Sequence, residues 1–146
     1  SVIPLFKKMA EDGAEYLPIT HPEMTRFFFS LDDAVAFTQG SIQMMRGGEV
    51  FIPKIRAKRI TELAREIAPH LPHKIIGMRG HEKLHEVLIS EDESHAALDV
   101  GDRYILKPFF PWDSSHLIGA HPVPFGFRFG SDSAIVQSPT FGVAAE

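Results

Sequence analysis

The sequence predicts an α/β (α+β) fold of modest size, and three observations predict it. Apolar residues at helical intervals of three and four alternate along the chain with short runs of β-branched and aromatic residues. Proline and glycine punctuate the boundaries between these segments. The composition, 44% hydrophobic and 23% charged over 146 residues, is that of a globular chain. A domain of this length buries about 70% of its unfolded surface.

Val2, Leu5, Phe6 and Met9 lie at helical spacing and predict a helix over 2–10, stopped at Glu11-Asp12-Gly13. Tyr16 to Thr20 is a short extended segment, which Pro18 confines to a strand start or an edge position. After the turn His21-Pro22-Glu23 comes the apolar run Phe27-Phe28-Phe29, preceded by Arg26. Ser30-Leu31-Asp32-Asp33 is a capping-box pattern, with serine as N-cap and a carboxylate three residues on. The helix it opens carries one stripe, Leu31, Val35, Thr38, Ile42 and Met45, and stops at Gly47-Gly48.

Val50 to Pro53 reads as a strand, and Ile60, Leu63, Ala64 and Ile67 as a helix closed by Pro69 and Pro72. Lys74 to Met78 predicts a strand that runs into a corner at Arg79-Gly80. Beyond the corner Leu84, Val87 and Leu88 fall at i, i+3, i+4 and predict a further helix. The pattern weakens past Glu91-Asp92-Glu93. Tyr104-Ile105-Leu106 reads as a strand, and from Pro108 onward proline, glycine and serine dominate. The expected organisation is a lobe over 1–107 followed by an irregular C-terminal extension over 108–146.

A net charge of -4 argues against a nucleic-acid partner, since no excess positive field exists to attract phosphates. The absence of cysteine excludes disulfides and thiolate metal sites, and fits a reducing cytoplasm. No apolar run approaches the roughly 18 residues of a membrane-spanning helix, so no membrane partner is expected. Ser1-Val2-Ile3-Pro4-Leu5-Phe6 reads as the interior of something, so the chain is expected to be a piece of a longer protein.

The chemistry concentrates at the corner, where two readings compete. In one, Arg79 and the following helix start hold an anionic ligand. In the other, His81-Glu82-Lys83-Leu84-His85 is the zinc-hydrolase pattern His-Glu-x-x-His. The second reading needs a third ligand. Its extended form would put a glycine at 88 and a histidine at 91, but those positions hold Leu88 and Glu91. After Glu93 the next glutamate is Glu146, and His95, His116 and His121 lie in no helical pattern. No metal site is expected, and the plain alternative for His85 is a half-buried histidine without a ligand.

Several separated motifs resemble the C-terminal half of the UDP-N-acetylglucosamine 4,6-dehydratases, extended short-chain dehydrogenase/reductases of bacterial surface-sugar synthesis. They are Ser1 to Lys8, Leu17-Pro18-Ile19-Thr20, Met24-Thr25-Arg26-Phe27, Gly48 to Lys54, Lys74 to Arg79 and Glu82 to Ser90. A weaker echo lies at Gly126-Phe127-Arg128-Phe129-Gly130-Ser131-Asp132. His95 and the stretch up to Tyr104 are most similar to the inverting enzymes of the pseudaminic acid pathway, which modifies flagellin. The capsule and O-antigen enzymes that make N-acetylfucosamine precursors stand second.

The resemblance implies a small mixed-sheet substrate-binding lobe that lacks the Rossmann half. It implies a lyase reaction: oxidation of the sugar at C4, loss of water across C5–C6, and return of the hydride to C6. It implies NADP held by the nucleotide-binding half, whose marks are a glycine-rich turn after the first strand and a tyrosine followed four residues later by lysine. Neither mark is present here: Tyr16 is followed by Thr20 and Tyr104 by Pro108. No cofactor and no catalytic residue are therefore expected in this chain.

The resemblance further assigns Arg26 and Arg79 to the diphosphate of a UDP-N-acetylglucosamine-type sugar nucleotide. Forked guanidinium groups meet its oxygens with paired hydrogen bonds. Glu82 is implied to accept from ribose hydroxyls, and Pro18, Ile19 and Thr20 to present backbone to uracil. Two departures stand out. Phe28 occupies a place where the family more often has tryptophan. His81 occupies the place of a corner glycine, where positive φ is cheap for glycine and less so for histidine. A lobe without its partner half would expose an apolar face and self-associate as a homo-oligomer. The rival reading is a module that binds a nucleotide or a protein partner without catalysis.

Overall fold

The computed structural model describes residues 2–135. Helix α1 spans Val2–Glu11 and ends at Gly13 with positive φ. Strand β1, Leu17–Ile19, pairs in parallel with β5, His73–Ile75. Strand β2, Thr25–Phe28, pairs antiparallel with β4, Arg56–Arg59. Between them run α2, Leu31–Met44, and β3, Val50–Pro53. Helix α3 spans Ile60–Ile67 and leads to β5.

The later chain is a run of short strands: β6 Val87–Ile89, β7 Ala97–Asp99, β8 Arg103–Leu106, β9 His121–Pro122 and β10 Phe129–Gly130. A four-stranded antiparallel sheet has the order β3-β8-β7-β9, and β10 pairs with β6. The result is a mixed α/β body of several small sheets and three helices. Residues 108–120 hold no helix or strand, whereas β9 and β10 tie the following residues to β7 and β6. The rest of the expected extension, 136–146, lies outside the described residues, as does Ser1 of the opening motif.

One core forms where α1, β1 and α3 meet: Phe6, Leu17, Ile19, Met24, Ile60 and Ala64 are all at most 5% exposed. Two smaller clusters lie in and around the four-stranded sheet, one around Ile52, Ile89 and Ala97, the other around Leu98, Ile105 and Leu117. Tyr104 stacks at 5.3 Å on both Phe127 and Phe129, which fastens the end of the described chain to β8.

The helix expected after Arg79 is absent. Residues 81–86 form turns and irregular chain, and Val87–Ile89 is strand β6. Val87 is 40% exposed and Ile89 fully buried, and β6 is held as a strand by its antiparallel pairing with β10, Phe129 against Ile89. Leu84 packs against the first core as part of the preceding loop. The three apolar positions fit a helical template by spacing, but they belong to two different elements. Sequence reading also passed over β4, although residues 56–59 fill one side of β2 along its whole length.

Helix α2 forms as expected, with Ser30 as N-cap accepting from the Asp33 backbone N–H at 3.0 Å. Its orientation is the surprise. The apolar stripe faces outward: Leu31 is 79% exposed and Ile42 61%. The opposite face meets the body through Phe37, Gly40, Ser41 and Met44. Arg103, 6% exposed, donates to Ser41 Oγ at 2.8 Å and lies 4.6 Å from the Phe37 ring centroid. A methyl group added at Gly40 would sit 3.0 Å from Arg103 Nη2, so the glycine leaves room for that guanidinium. Asp102 holds the other side of Arg103 at 2.7 Å. That hydrogen bond keeps the Asp102 carboxyl below its ordinary range.

Candidate functional site

The loop from Ile76 to Glu86 crosses the open end of the β1–β5 pair. Gly77 takes φ 83°, and the turn Arg79–Glu82 is closed twice. The Glu82 N–H donates to the Arg79 carbonyl at 3.2 Å, and the Arg79 N–H donates to Glu82 Oε2 at 3.1 Å. Within this turn His81 has φ 68°, alone among the described non-glycine residues in being left-handed. A left-handed side-chain-bearing residue costs roughly 1–2 kcal/mol, and histidine is among the residues seen there more often. The expected strain of histidine in the glycine place is therefore present in the backbone.

This turn faces a cleft of about 180 Å³ whose apolar wall comes from α1 (Val2, Leu5, Phe6) with Ile60 and Ile76. Its polar lining comes from Pro18, Thr20, Arg26, Arg79 and Glu82. Five of the six candidate residues, from three separate stretches of sequence, share one cavity. The sixth, Ile19, is 0% exposed and points into the core beneath it. Its carbonyl accepts from the Ile76 N–H at 2.9 Å, so its backbone is already committed. Leu17 likewise donates to the Pro72 carbonyl. Backbone groups alternate sides along a strand, so Pro18 turns its carbonyl to the unpaired edge of β1.

The two arginines are held differently. Arg26 is pinned: Nη1 donates to the carbonyls of Thr25 (2.7 Å) and Leu84 (3.2 Å), and Nη2 to that of Lys83 (2.7 Å). Its Nε lies 3.7 Å from Glu86, and the side chain is 22% exposed. Arg79 is exposed, and no described residue engages its guanidinium. One guanidinium is thus a fixed point of charge with a spare Nη2 donor, and the other is free to close on a ligand.

His81 and His85 do not share a helix face, because no helix exists there. His85 instead points inward, with Nδ1 2.7 Å from Thr25 Oγ1. Among the described residues no group of three or more histidine, aspartate or glutamate side chains is placed to hold a metal ion. Behind the loop, Ser131 is completely buried and bonds both Thr25 and the Glu86 backbone. Next to it the Asp132 carboxyl sits below its ordinary range. Burial alone would raise it, but hydrogen bonds from Arg128 and the charges of Arg128 and His85 outweigh that. Sequence reading gave Ser131 and Thr25 no role. The available signals were the motif Met24-Thr25-Arg26-Phe27 for Thr25 and the echo over 126–132 for Ser131.

A larger open cleft, about 640 Å³, lies between β2, α2 and β3 and is lined by Phe28, Phe29 and Phe37. Of its three cations, Lys54 and Arg103 already face Asp99 and Asp102, and Arg56 is not without a partner either. That leaves the smaller cleft as the better anion site, despite its size.

Residues 1–108 match the model of a family described as polysaccharide biosynthesis protein. A UDP-N-acetylglucosamine 4,6-dehydratase (inverting) of Campylobacter jejuni is 45% identical over 141 residues, covering 91% of this chain and 42% of that protein. A UDP-glucose 4-epimerase of Rickettsia canadensis is 39% identical over 108 residues, covering 71% of this chain and 31% of that protein. The X-ray structure of Pen from Bacillus thuringiensis superposes with a TM-score of 0.79 at 25% identity, over 93% of this chain and 42% of that one. The chain thus spans less than half the length of the curated relatives it matches.

Proposed function

We propose, from the premise that this chain belongs to the polysaccharide biosynthesis protein family, that it is the sugar-nucleotide-binding lobe of a UDP-N-acetylglucosamine 4,6-dehydratase. The convergence of Pro18, Thr20, Arg26, Arg79 and Glu82 on one cleft carries the reading. Pinned Arg26 and mobile Arg79 would bracket the diphosphate, Glu82 would take a ribose hydroxyl with its second oxygen, and the Pro18 carbonyl would meet the base. Leu5 and Ile76 would pack against the apolar faces of the nucleotide. The lobe would contribute binding energy remote from the reacting carbons, which positions the sugar ring for chemistry elsewhere.

The residues present do not fit NADP. The first strand is followed by Thr20-His21-Pro22-Glu23, with no glycine to let a backbone approach a pyrophosphate. The redox step therefore belongs outside this chain in our reading. No described helix is long and apolar enough to cross a membrane. We place the protein in the cytoplasm, in the inverting branch that leads to pseudaminic acid and flagellin modification. The 45% identity to an inverting dehydratase supports that branch.

Isothermal calorimetry with UDP-N-acetylglucosamine tests the reading. Weak saturable binding is expected, and Arg79→Ala is expected to reduce it by about 10- to 100-fold, the cost of a lost charge-assisted contact of roughly 1.5–3 kcal/mol. Equal binding by wild type and Arg79→Ala, or none by wild type, overturns it.

A further inference from the structure

We propose that Ser131 and His85 are positioning residues for Arg26, acting through a buried hydroxyl relay that closes over the back of the cleft. The inference rests on the reading of Arg26 as a ligand residue, and it deepens that reading by naming what fixes the guanidinium. It also reaches beyond residues 1–108, which the family model covers.

The loop Lys83–Glu86 is gripped from two sides by consecutive residues. Lys83 and Leu84 give their carbonyls to Arg26 at 2.7 and 3.2 Å. Glu86 exchanges two hydrogen bonds with Ser131: the Glu86 N–H donates to Ser131 Oγ at 2.9 Å, and the Ser131 N–H to the Glu86 carbonyl at 2.8 Å. His85 Nδ1 meets Thr25 Oγ1 at 2.7 Å, and Thr25 Oγ1 meets Ser131 Oγ at 2.6 Å. The Thr25 carbonyl accepts from Arg26 Nη1 at 2.7 Å and from Ser131 Oγ at 3.3 Å. Arg26 and Ser131, 105 positions apart, thus share one acceptor.

One assignment of the hydrogens completes the relay. With Nδ1 protonated, His85 donates to Thr25 Oγ1, Thr25 donates to Ser131 Oγ, and Ser131 donates to the Thr25 carbonyl. Every hydroxyl in the chain is then both donor and acceptor, at sites where Thr25 is 1% and Ser131 0% exposed. Removing the Ser131 hydroxyl leaves the buried Thr25 hydroxyl and the Glu86 N–H short of a partner. Removing the Thr25 hydroxyl leaves half-buried His85 Nδ1 short of one. Each loss costs more than the bond itself contributes. The nearest relief is movement of the Lys83–Glu86 loop, and the Arg26 guanidinium moves with its carbonyl acceptors.

Two measurements on the whole chain test this. In ¹⁵N-labelled protein, exchange of the Arg26 Nη hydrogens with solvent is expected to accelerate by about tenfold or more in Ser131→Ala and Thr25→Val, the loss of one buried hydrogen bond. Thr25→Ser, which keeps the hydroxyl, should restore it to within about threefold of wild type. The Arg79 Nη hydrogens should be indifferent to all three changes, which a general loosening of the fold would not allow. His85→Leu, at a half-buried site, serves where Ser131→Ala fails to fold. Unchanged Arg26 exchange in folded Ser131→Ala, or in His85→Leu where that stands in, overturns the proposal.

In calorimetry, Ser131→Ala should weaken UDP-N-acetylglucosamine by about tenfold, yet add nothing in an Arg26→Lys background. Additive losses would mean that Ser131 does not act through Arg26. If wild type binds no sugar nucleotide, the proposed function fails while solvent exchange still decides the positioning role.

Discussion

Helices α2 and α3 were drawn with the same pattern and used in opposite ways. In α3, Ile60, Leu63 and Ala64 turn inward and are at most 6% exposed, so the amphipathic stripe is the core-facing stripe. In α2 and its C-cap, Leu31, Val35, Ile42 and Met45 turn outward, each at least 49% exposed. The helix is held instead by a buried arginine, a serine hydroxyl and an aromatic face. A helix stripe reports that an apolar surface will be covered, and says nothing about which molecule or which part of a chain covers it. In α3 the cover is α1 and β1. In α2 nothing among the described residues provides it, and the chain spans less than half of its relatives' length.

The sharpest way to test the contrast is truncation at matched positions. Leu63→Ala is expected to cost about 2–5 kcal/mol in chemical denaturation, while Ile42→Ala should stay within about 0.5 kcal/mol. An equal cost at both sites would show that the α2 stripe is packed in solution. Next in size is Arg103→Met, which removes donors to Ser41 and Phe37 and should cost about 1–3 kcal/mol. The far-ultraviolet dichroism of α2 should melt ahead of the rest of the molecule. A change confined to noise would mean that Arg103 does not anchor the helix.

Ile42→Lys should leave stability nearly unchanged and shift size-exclusion elution toward monomer, because the exposed stripe is where self-association is expected. Monomeric elution of wild type at every concentration would refute that.

The smallest effect concerns acid. The Asp102 carboxyl is held below its ordinary range by its hydrogen bond to Arg103. A depressed folded-state value means that its contribution is present at neutral pH and is lost as pH falls through that value, below about pH 4. Thermal melts of Asp102→Asn should show a shallower loss of stability between neutral pH and about pH 3 than wild type. Because the carboxylate is mostly exposed, the difference should be small.

Much of the molecule could be read without coordinates, and the parts that could not share a cause. Helix α1, the Ser30 cap of α2, α3, β3 and the extended segment at Pro18 rest on neighbours within four residues, so local spacing and capping chemistry suffice. The family motifs supplied the residues that line the cleft, and Arg79 with Glu82 was visible as a corner. The same local logic failed between 81 and 89. There Leu84 belongs to a loop packed on one core and Val87–Ile89 to a strand at another, and a three-four spacing cannot distinguish that from a helix. The His-Glu-x-x-His pattern fell with the helix it needed. Pro18, Thr20 and Arg26 meet Arg79 only because β1 pairs with β5 and β2 is overlaid by the loop 83–86.

What the chain determined by itself is its set of elements, their caps, and which side chains carry charge or hydroxyls at each place. The folded structure alone decided which face of α2 is left bare. It also decided that Arg26 is pinned while Arg79 is free, and that Thr25, His85 and Ser131 form one buried relay across 106 positions. The reason is physical. Backbone preference and spacing act over a turn of chain, whereas buried hydrogen bonds and the choice of a buried face are settled by whatever surface arrives from far along the sequence.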